Sequence, residues 1–506
     1  MIDPRTPVIA GVGQRSQRLD AAAAGLEPID LLAEAAHAAG ADTHASTRSL
    51  LQAVDTVAVV DMVSWKYPDP GALLTRRLGI GGKVRTITTT LGGNSPQLLV
   101  NELAPAIRRG ETQVVLLGGA ECVYTRWRAR REPKTWLEWT SCSDPPCPRV
   151  VGDPRAGTND YEMAHTALAP TQIYPLLETA LRAAAGRSVE EHQLHVSELW
   201  ATFAAVAATN PYAWSREAYS PEAIRVPGPD NRVVTFPYTK RMCANIDVDQ
   251  AAALLLCSHE AARAAGVPDD RLVFPLAGAD AHDHFFFSVR RSLAESPAIA
   301  AAGRAALTAA GHGVDDVARF DLYSCFPSAV QIAMGALGLK GPASGDDRPL
   351  TVTGGLAFAG GPANNYPTHA IAAMVEACRR DRGSVGMVSA LGWYVTKHSI
   401  GLYSTAPPPG GFTRVDPAET QAAVDALPSR EVAGAYEGAA TVEATSVVFE
   451  RDGSASVAIV AALTADGRRA LANIRDPDAM RSMTEEAWEG RAVTLRTDGT
   501  TNEVVV

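Results

Sequence analysis

Two distant stretches of the chain are written to one plan, and this repetition constrains the fold more than any other feature. Over residues 84–121 the strand signal VRTITTT leads into the turn LGGNSP, the amphipathic run QLLVNELAPAIRRG and the apolar QVVLLGGAE. Over residues 348–393, RPLTVTGGLAFAGGP leads into THAIAAMVEACRRDRG and then SVGMVSALGW. Each reads as strand, glycine turn with proline, helix ending in basic residues and glycine, then strand. Basic side chains suit the negative end of the helix dipole, and glycine supplies the left-handed residue that ends a helix. Two βαβ units of one build predict a duplicated, layered α/β protein.

Neighbouring segments extend both units. TPVIAGVGQ predicts a buried strand, PIDLLAEAAHAAG a helix, VDTVAVVDMV a strand, and DVDQAAALLLCSHEAARAAG an apolar strand or helix leading into an amphipathic helix. Residues 123–246 differ in composition and hold five of the eight tryptophans, so they read as an excursion from the first half. After the Pro/Gly linker APPPGGF, alternating apolar and polar residues with DGS and DGR turns predict antiparallel strands and a small five-stranded barrel. The expected organisation is therefore 1–122 with 247–271 as the first half and 123–246 as a loop domain. The second half spans 272–405, followed by a linker at 406–412 and a β domain over 413–506.

Bulk numbers exclude several function classes. With 506 residues, 46% hydrophobic and 20% charged, the chain has the material for several cores. A formal charge of -10 leaves no global positive field to hold nucleic acid. Seven scattered cysteines suit reduced intracellular thiols, and the pair Cys142 and Cys147 lacks the second pair that a zinc site needs. No metal is expected. The start MIDPRTPVIAGVGQRS lacks a signal-peptide pattern, and no apolar run reaches the ~18 residues of a membrane span. The expectation is a soluble cytoplasmic protein.

Several motifs admit both a chemical and a structural reading. LGGNSP at 91–96 opens a helix, whose free N–H groups favour an anion, but a tight strand–helix turn needs the same residues. DLYSCFPSAV at 321–330 places Tyr323, Ser324 and Cys325 just before a helix, where a thiol can be activated. A cysteine beside phenylalanine and proline is equally a small buried hydrophobe. His369, in the loop TGGLAFAGGPANNYPTHA, is a candidate general base or a structural histidine. The basic run 126–134 would seat phosphates or form a solvated face.

In order along the chain, TPVIAGVGQ, AIRRGETQVVLLGGAE, NPYAWSREAYSPEAI, DVDQAAALLLCSHEAARAAG, SPAIAAAGRAAL and ASGDDRPLTVTGGLAFAGGP resemble the thiolase superfamily. Within it the likeness is to sterol-carrier-protein-x-type thiolases and thiolase-like proteins, over roughly 1–405. The resemblance implies two pseudo-symmetric βαβαβαββ halves in five layers, a loop domain over the substrate, and a pantetheine tunnel for acyl-CoA thioesters. The C-terminal barrel is expected to be OB-like.

The resemblance also implies which residues occupy the family's catalytic positions. The acylated cysteine falls on Gly93. The family's Asn-Glu-Ala-Phe motif, His-Asp-Cys-Phe in the sterol-carrier type, falls on Tyr323-Ser324-Cys325-Phe326. Its Gly-His-Pro falls on Gly360-Gly361-Pro362, and its second cysteine on Ala390. Thiolysis needs a thiolate to take the acyl group and a base to activate it, which glycine and alanine cannot supply. The expected function is that of a thiolase-like protein of the acetyl-CoA acetyltransferase lineage, in lipid metabolism, that binds CoA or acyl-CoA with little or no thiolysis. Lys240, Arg241, Asn245, Gly360 and Gly361 are the expected CoA contacts. Coenzyme A is a substrate or ligand here, and no cofactor is expected.

Two alternatives stand beside that expectation. One is a retro-aldol carbon–carbon lyase on a β-hydroxyacyl-CoA, using Tyr323, Tyr366 and His369, since related lyases carry tyrosines in these loops and work with a small barrel partner. The other is acyl transfer through Cys325. Homo-oligomer and monomer both remain open.

Overall fold

The computed structural model describes residues 2–19, 21–132, 136–341 and 345–505. Its first sheet runs, edge to edge, through Val150–Val151, Arg85–Thr89, Thr56–Val59, Val114–Cys122, Asp249–Ser258 and Pro7–Ser16. Neighbours up to Val114–Cys122 are parallel, and the last two strands join antiparallel. The second sheet runs through Val317–Asp321, Val385–Gly392, Lys397–Ser404, Phe274–His282 and Thr413–Arg414. Its first pair is parallel and the next two are antiparallel. Four strands of one sheet thus correspond in order and direction to four of the other, the duplication expected from the repeated plan.

The halves depart from symmetry at RPLTV. In place of a fifth parallel strand, the chain at 349–350 only accepts the N–H groups of Phe320 and Leu322 (2.8 and 3.0 Å). The Asp321 carboxylate captures the N–H groups of Val352 and Thr353 instead (2.9 and 3.1 Å), and a side-chain acceptor of that kind competes with a sheet ladder.

Helices Ser95–Arg108 and Tyr366–Arg380 lie between the sheets and touch strands of both. That position explains why the second is buried on nearly every face. Helix Pro28–Asp42 covers the outer face of the first sheet, while Pro297–Ala310 covers that of the second. Helix, sheet, helix, sheet, helix makes the five layers of a thiolase fold.

Strands Gly438–Phe449, Ala455–Thr464, Arg469–Ile474, Asn502–Val505 and Ala492–Thr497 close on themselves as a small barrel, with helix Pro477–Glu485 connecting Arg469–Ile474 to Ala492–Thr497. This barrel is not a free appendage. Val447 and Val448 pair with Phe236 and Thr235 of the 123–246 region. The fully buried Arg469 bonds Glu443 (2.7 Å) and donates to the carbonyls of Phe287, Ser288 and Arg290.

Candidate active site

Four segments meet between the halves: the turn at 91–94, residues 323–326 after strand Val317–Asp321, the glycine loop at 353–365, and the end of strand Val385–Gly392. Hydrogen bonds stitch them together. Gly92 N–H donates to Asn364 Oδ1 (2.9 Å), and Tyr323 N–H donates to Ser389 Oγ (3.0 Å). Leu356 N–H donates to Ser324 Oγ (3.3 Å), Asn245 N–H to the Leu356 carbonyl (3.0 Å), and Gly361 N–H to the Asn245 carbonyl (2.8 Å). Gly93, Tyr323, Gly361 and Ala390, named from sequence, are thus carried by one cluster of loops.

Gly93 is glycine for want of space rather than for its backbone angle. A Cβ there would overlap the Tyr323 hydroxyl, lie 2.7 Å from that ring's Cζ, and lie 2.5 Å from the Leu391 carbonyl oxygen. The tyrosine occupies the place where any side chain at 93 would begin. At Gly361 there is more room, with the Asn245 carbonyl at 3.3 Å and Leu356 Cβ at 3.5 Å.

The candidate catalytic groups are buried in their neutral forms. Burial, reinforced by the neighbouring Cys325, pushes the Tyr323 hydroxyl far above its ordinary range. Tyr366 meets Tyr323 edge to face with ring centres 5.5 Å apart, yet its hydroxyl is committed elsewhere. It bonds Asp321 Oδ1 (2.8 Å) and Thr353 Oγ1 (2.6 Å), bracing the glycine loop. His369 places Nδ1 2.8 Å from Gln14 Oε1, leaves Nε2 buried without a partner, and is driven by burial down to about 3. The Cys325 thiol is pushed up to about 12 by burial, beside Phe326, on which Tyr174 stacks at 4.5 Å. An imidazole, a thiol and two phenols held this way neither attack nor abstract protons readily near neutral pH.

The expected CoA contacts fall into different settings. Lys240 is exposed. Arg241 lies 4.3 Å over the Tyr219 ring and donates to the Ala223 carbonyl (2.8 Å), so it latches its own loop. Asn245 is half-buried against Gly361. Gly360 has φ 113°, and the Gln250 amide fills the place of its Cβ. In the basic run, Arg131 stacks on Trp127 at 3.7 Å and Arg126 bonds the Ser64 carbonyl; Pro133 and Lys134 lie outside the described residues.

Lys397 escaped the sequence reading. A lysine that opens a strand looks like a solvated strand end, and no local pattern marks it otherwise. Here it is buried, and its Nζ donates to the carbonyls of Leu91 (2.6 Å) and Asp153 (3.1 Å). Burial lowers it to about 8.

Comparison with known proteins supplies the family. A model described as the thiolase-like protein type 1 additional C-terminal domain matches residues 419–500. No curated protein matches the sequence. Among solved structures, a monomeric SCP2-thiolase-like protein type 1 from Mycobacterium smegmatis superposes with a TM-score of 0.84 at 33% identity, covering 100% of both chains. An Ltp2-ChsH2(DUF35) aldolase gives 0.59 at 19% identity over 79% of this chain and 98% of its own. Human mitochondrial 3-ketoacyl-CoA thiolase in complex with CoA gives 0.54 at 18% identity over 80% and 99%. The last two share the fold alone. The first is alike in sequence over its whole length, barrel included, and so this chain belongs to the SCP2-thiolase-like proteins of type 1.

Proposed function

We propose that the protein binds CoA or an acyl-CoA thioester at the thiolase-type site and does not carry out thiolysis. The observation that carries this reading is the Tyr323 hydroxyl standing where a Cβ on Gly93 would have to be. With glycine at 93 and 361 and alanine at 390, the site has neither an acyl-accepting thiol nor a base to activate one. Asn245, between the exposed Lys240 and the exposed Ile246 in sequence, faces the glycine loop through Gly361. In this reading the lysine would meet the ligand's phosphates, as an ammonium suits an anion.

Titration with CoA and acetyl-CoA, read by tryptophan fluorescence, is expected to saturate. Acetoacetyl-CoA with CoA is expected to yield no acetyl-CoA. Measurable thiolysis would overturn the reading, as would an absence of CoA binding.

Retro-aldol cleavage is a second reading, favoured by one observation: a tyrosine hydroxyl, that of Tyr323, is presented at the glycine turn. In that reaction Tyr323 would exchange a proton with the β-hydroxyl, while Tyr366, tied to Asp321, would hold the loop. Loss of a measured lyase rate in Tyr323→Phe supports it, and an unchanged rate removes it.

A further inference from the structure

Helices Pro170–Ala184 and Val189–Thr209 of the 123–246 region meet helix Pro327–Leu337 of the second half around a cavity of about 460 Å3. No residue of the catalytic loops lines it. Its wall on the third helix includes Gln331 and Gly335, and Gly335 lies roughly 12 Å along the axis from Pro327 at ~1.5 Å per residue. Leu181, Leu199, Met334 and Leu339 make the apolar part of the wall. Gly335 adds room there. It sits inside a helix, where glycine is disfavoured against alanine, yet a Cβ on it would meet nothing within 4 Å and its backbone is not left-handed. Neither packing nor backbone angle calls for this glycine, whereas a methyl group at 335 would take space from the cavity.

The polar lining centres on Arg187, which is half-buried. Its Nη1 lies 3.4 Å from His192 Nδ1, and His192 Nε2 lies 2.6 Å from Glu178 Oε1. Glu178 is fully buried and also accepts from Gln331 Nε2 and the Tyr238 hydroxyl, both at 2.6 Å, so its carboxylate is already satisfied. This buried chain orients the guanidinium without neutralising it. Nor do the cations of the lining, Arg187 and Lys340, cap the helices that precede them. Backbone N–H groups of Arg187 and Leu339 already take the carbonyls of Arg182 (3.2 Å) and Met334 (2.9 Å). Glu198 is the one acid of the lining, and His195 is held back from protonation by burial and by the Arg187 charge. Two cations therefore face one carboxylate beside an apolar wall, which leaves a single positive charge to be matched.

We propose that this cavity is a second ligand site, separate from the thiolase-type site, and that it takes an aliphatic carboxylate. The carboxylate pairs with the Arg187 fork, whose planar donors match its two oxygens, and the chain lies along Leu199, Met334 and Gly335. The cavity's size and its few converging polar groups on an apolar wall are those of a small-molecule site.

Calorimetric titration of the full chain with sodium decanoate below its micellar range, beside decanol as the uncharged control, tests this. Decanoate is expected to bind one per chain and roughly tenfold more tightly than decanol, the size of one charge-assisted contact. Arg187→Gln should remove that advantage and leave decanol unchanged. Gly335→Ala should weaken both ligands while raising the melting temperature, because alanine favours the helix. A glycine with no ligand to admit would shift the melting temperature alone. The proposal is overturned if decanoate does not bind, or if neither substitution moves its affinity. It is also overturned if saturating CoA displaces decanoate, for the cavity would then be an arm of the CoA site and the CoA reading would stand. Failure of CoA to bind beside intact decanoate binding removes the CoA reading alone. Should Arg187→Gln fail to fold, the decanol comparison and Gly335→Ala decide the matter.

Discussion

At the scale of single residues, the site is defined by what two glycines permit. Because Gly93 faces the Tyr323 ring and the Leu391 carbonyl at 2.5–2.7 Å, Gly93→Ala is expected to destabilise the fold by about 1–3 kcal/mol. Tyr323→Ala should relieve only the part due to the ring, since the carbonyl stays. Gly361→Ala, buried but with contacts at 3.3–3.5 Å and no left-handed backbone, should cost clearly less than Gly93→Ala. Thermal melts of the two alanine variants check the contrast. His369 gives a pH signature. Its folded value of about 3 lies below the ordinary 6.5, so the unfolded chain binds the proton first. Its stabilising share is complete above 6.5 and is lost as pH falls from there toward 3, at up to about 1.4 kcal/mol per pH unit. Denaturation midpoints of wild type and His369→Gln at pH 7 and pH 5 should show a smaller drop in the variant.

At the scale of elements, the hairpin joining the strands that end at Gly392 and begin at Lys397 stores strain beside the site. Trp393 and Val395 adopt φ of 60° and 53°, a region that side chains avoid and that a β-branched residue tolerates least. Clamps from the 123–246 region hold it. The Tyr174 hydroxyl donates to the Trp393 carbonyl (2.8 Å) and accepts from Val395 N–H (3.3 Å), while Trp393 Nε1 donates to the Arg155 carbonyl (3.1 Å). Tyr174→Phe strands a buried N–H and a carbonyl. It should cost about 1–3 kcal/mol and speed hydrogen exchange at 393–396. The two helices that follow glycine turns were legible from periodicity and end signals. This hairpin was not, because GWYVT contains no glycine where the backbone turns left-handed.

At the scale of the molecule, a short segment decides how the first sheet ends. Strand Arg85–Thr89 would be a free edge, but Thr88 N–H donates to the Arg149 carbonyl and Thr90 N–H to that of Val151, both at 2.9 Å. With Arg85–Thr89 paired on both sides, only the two-residue strand Val150–Val151 is left at this edge, too short a ladder to hold a second copy. Light scattering is expected to give the mass of one chain, and a dimer mass would refute this account. The barrel is joined to the core by Arg469 and by the continuation of its sheet into Phe236, so calorimetry should show one cooperative transition. Arg469→Met leaves Glu443 uncompensated and three carbonyls unbonded, and should cost about 3–5 kcal/mol.

The sequence by itself determined the layered α/β class, the duplication, the small barrel and the placing of glycine at 93 and 361 and alanine at 390. All of these are written in local periodicity, turn chemistry and residue identity. Tertiary structure alone decided what fills those positions and in which charge state. That Tyr323 takes the space of a side chain on Gly93, that Tyr366 is spent on Asp321, and that Lys397 is a buried amine all depend on residues far apart in the chain. Burial and distant partners set both packing and ionisation, and neither is expressed in the spacing of neighbouring residues.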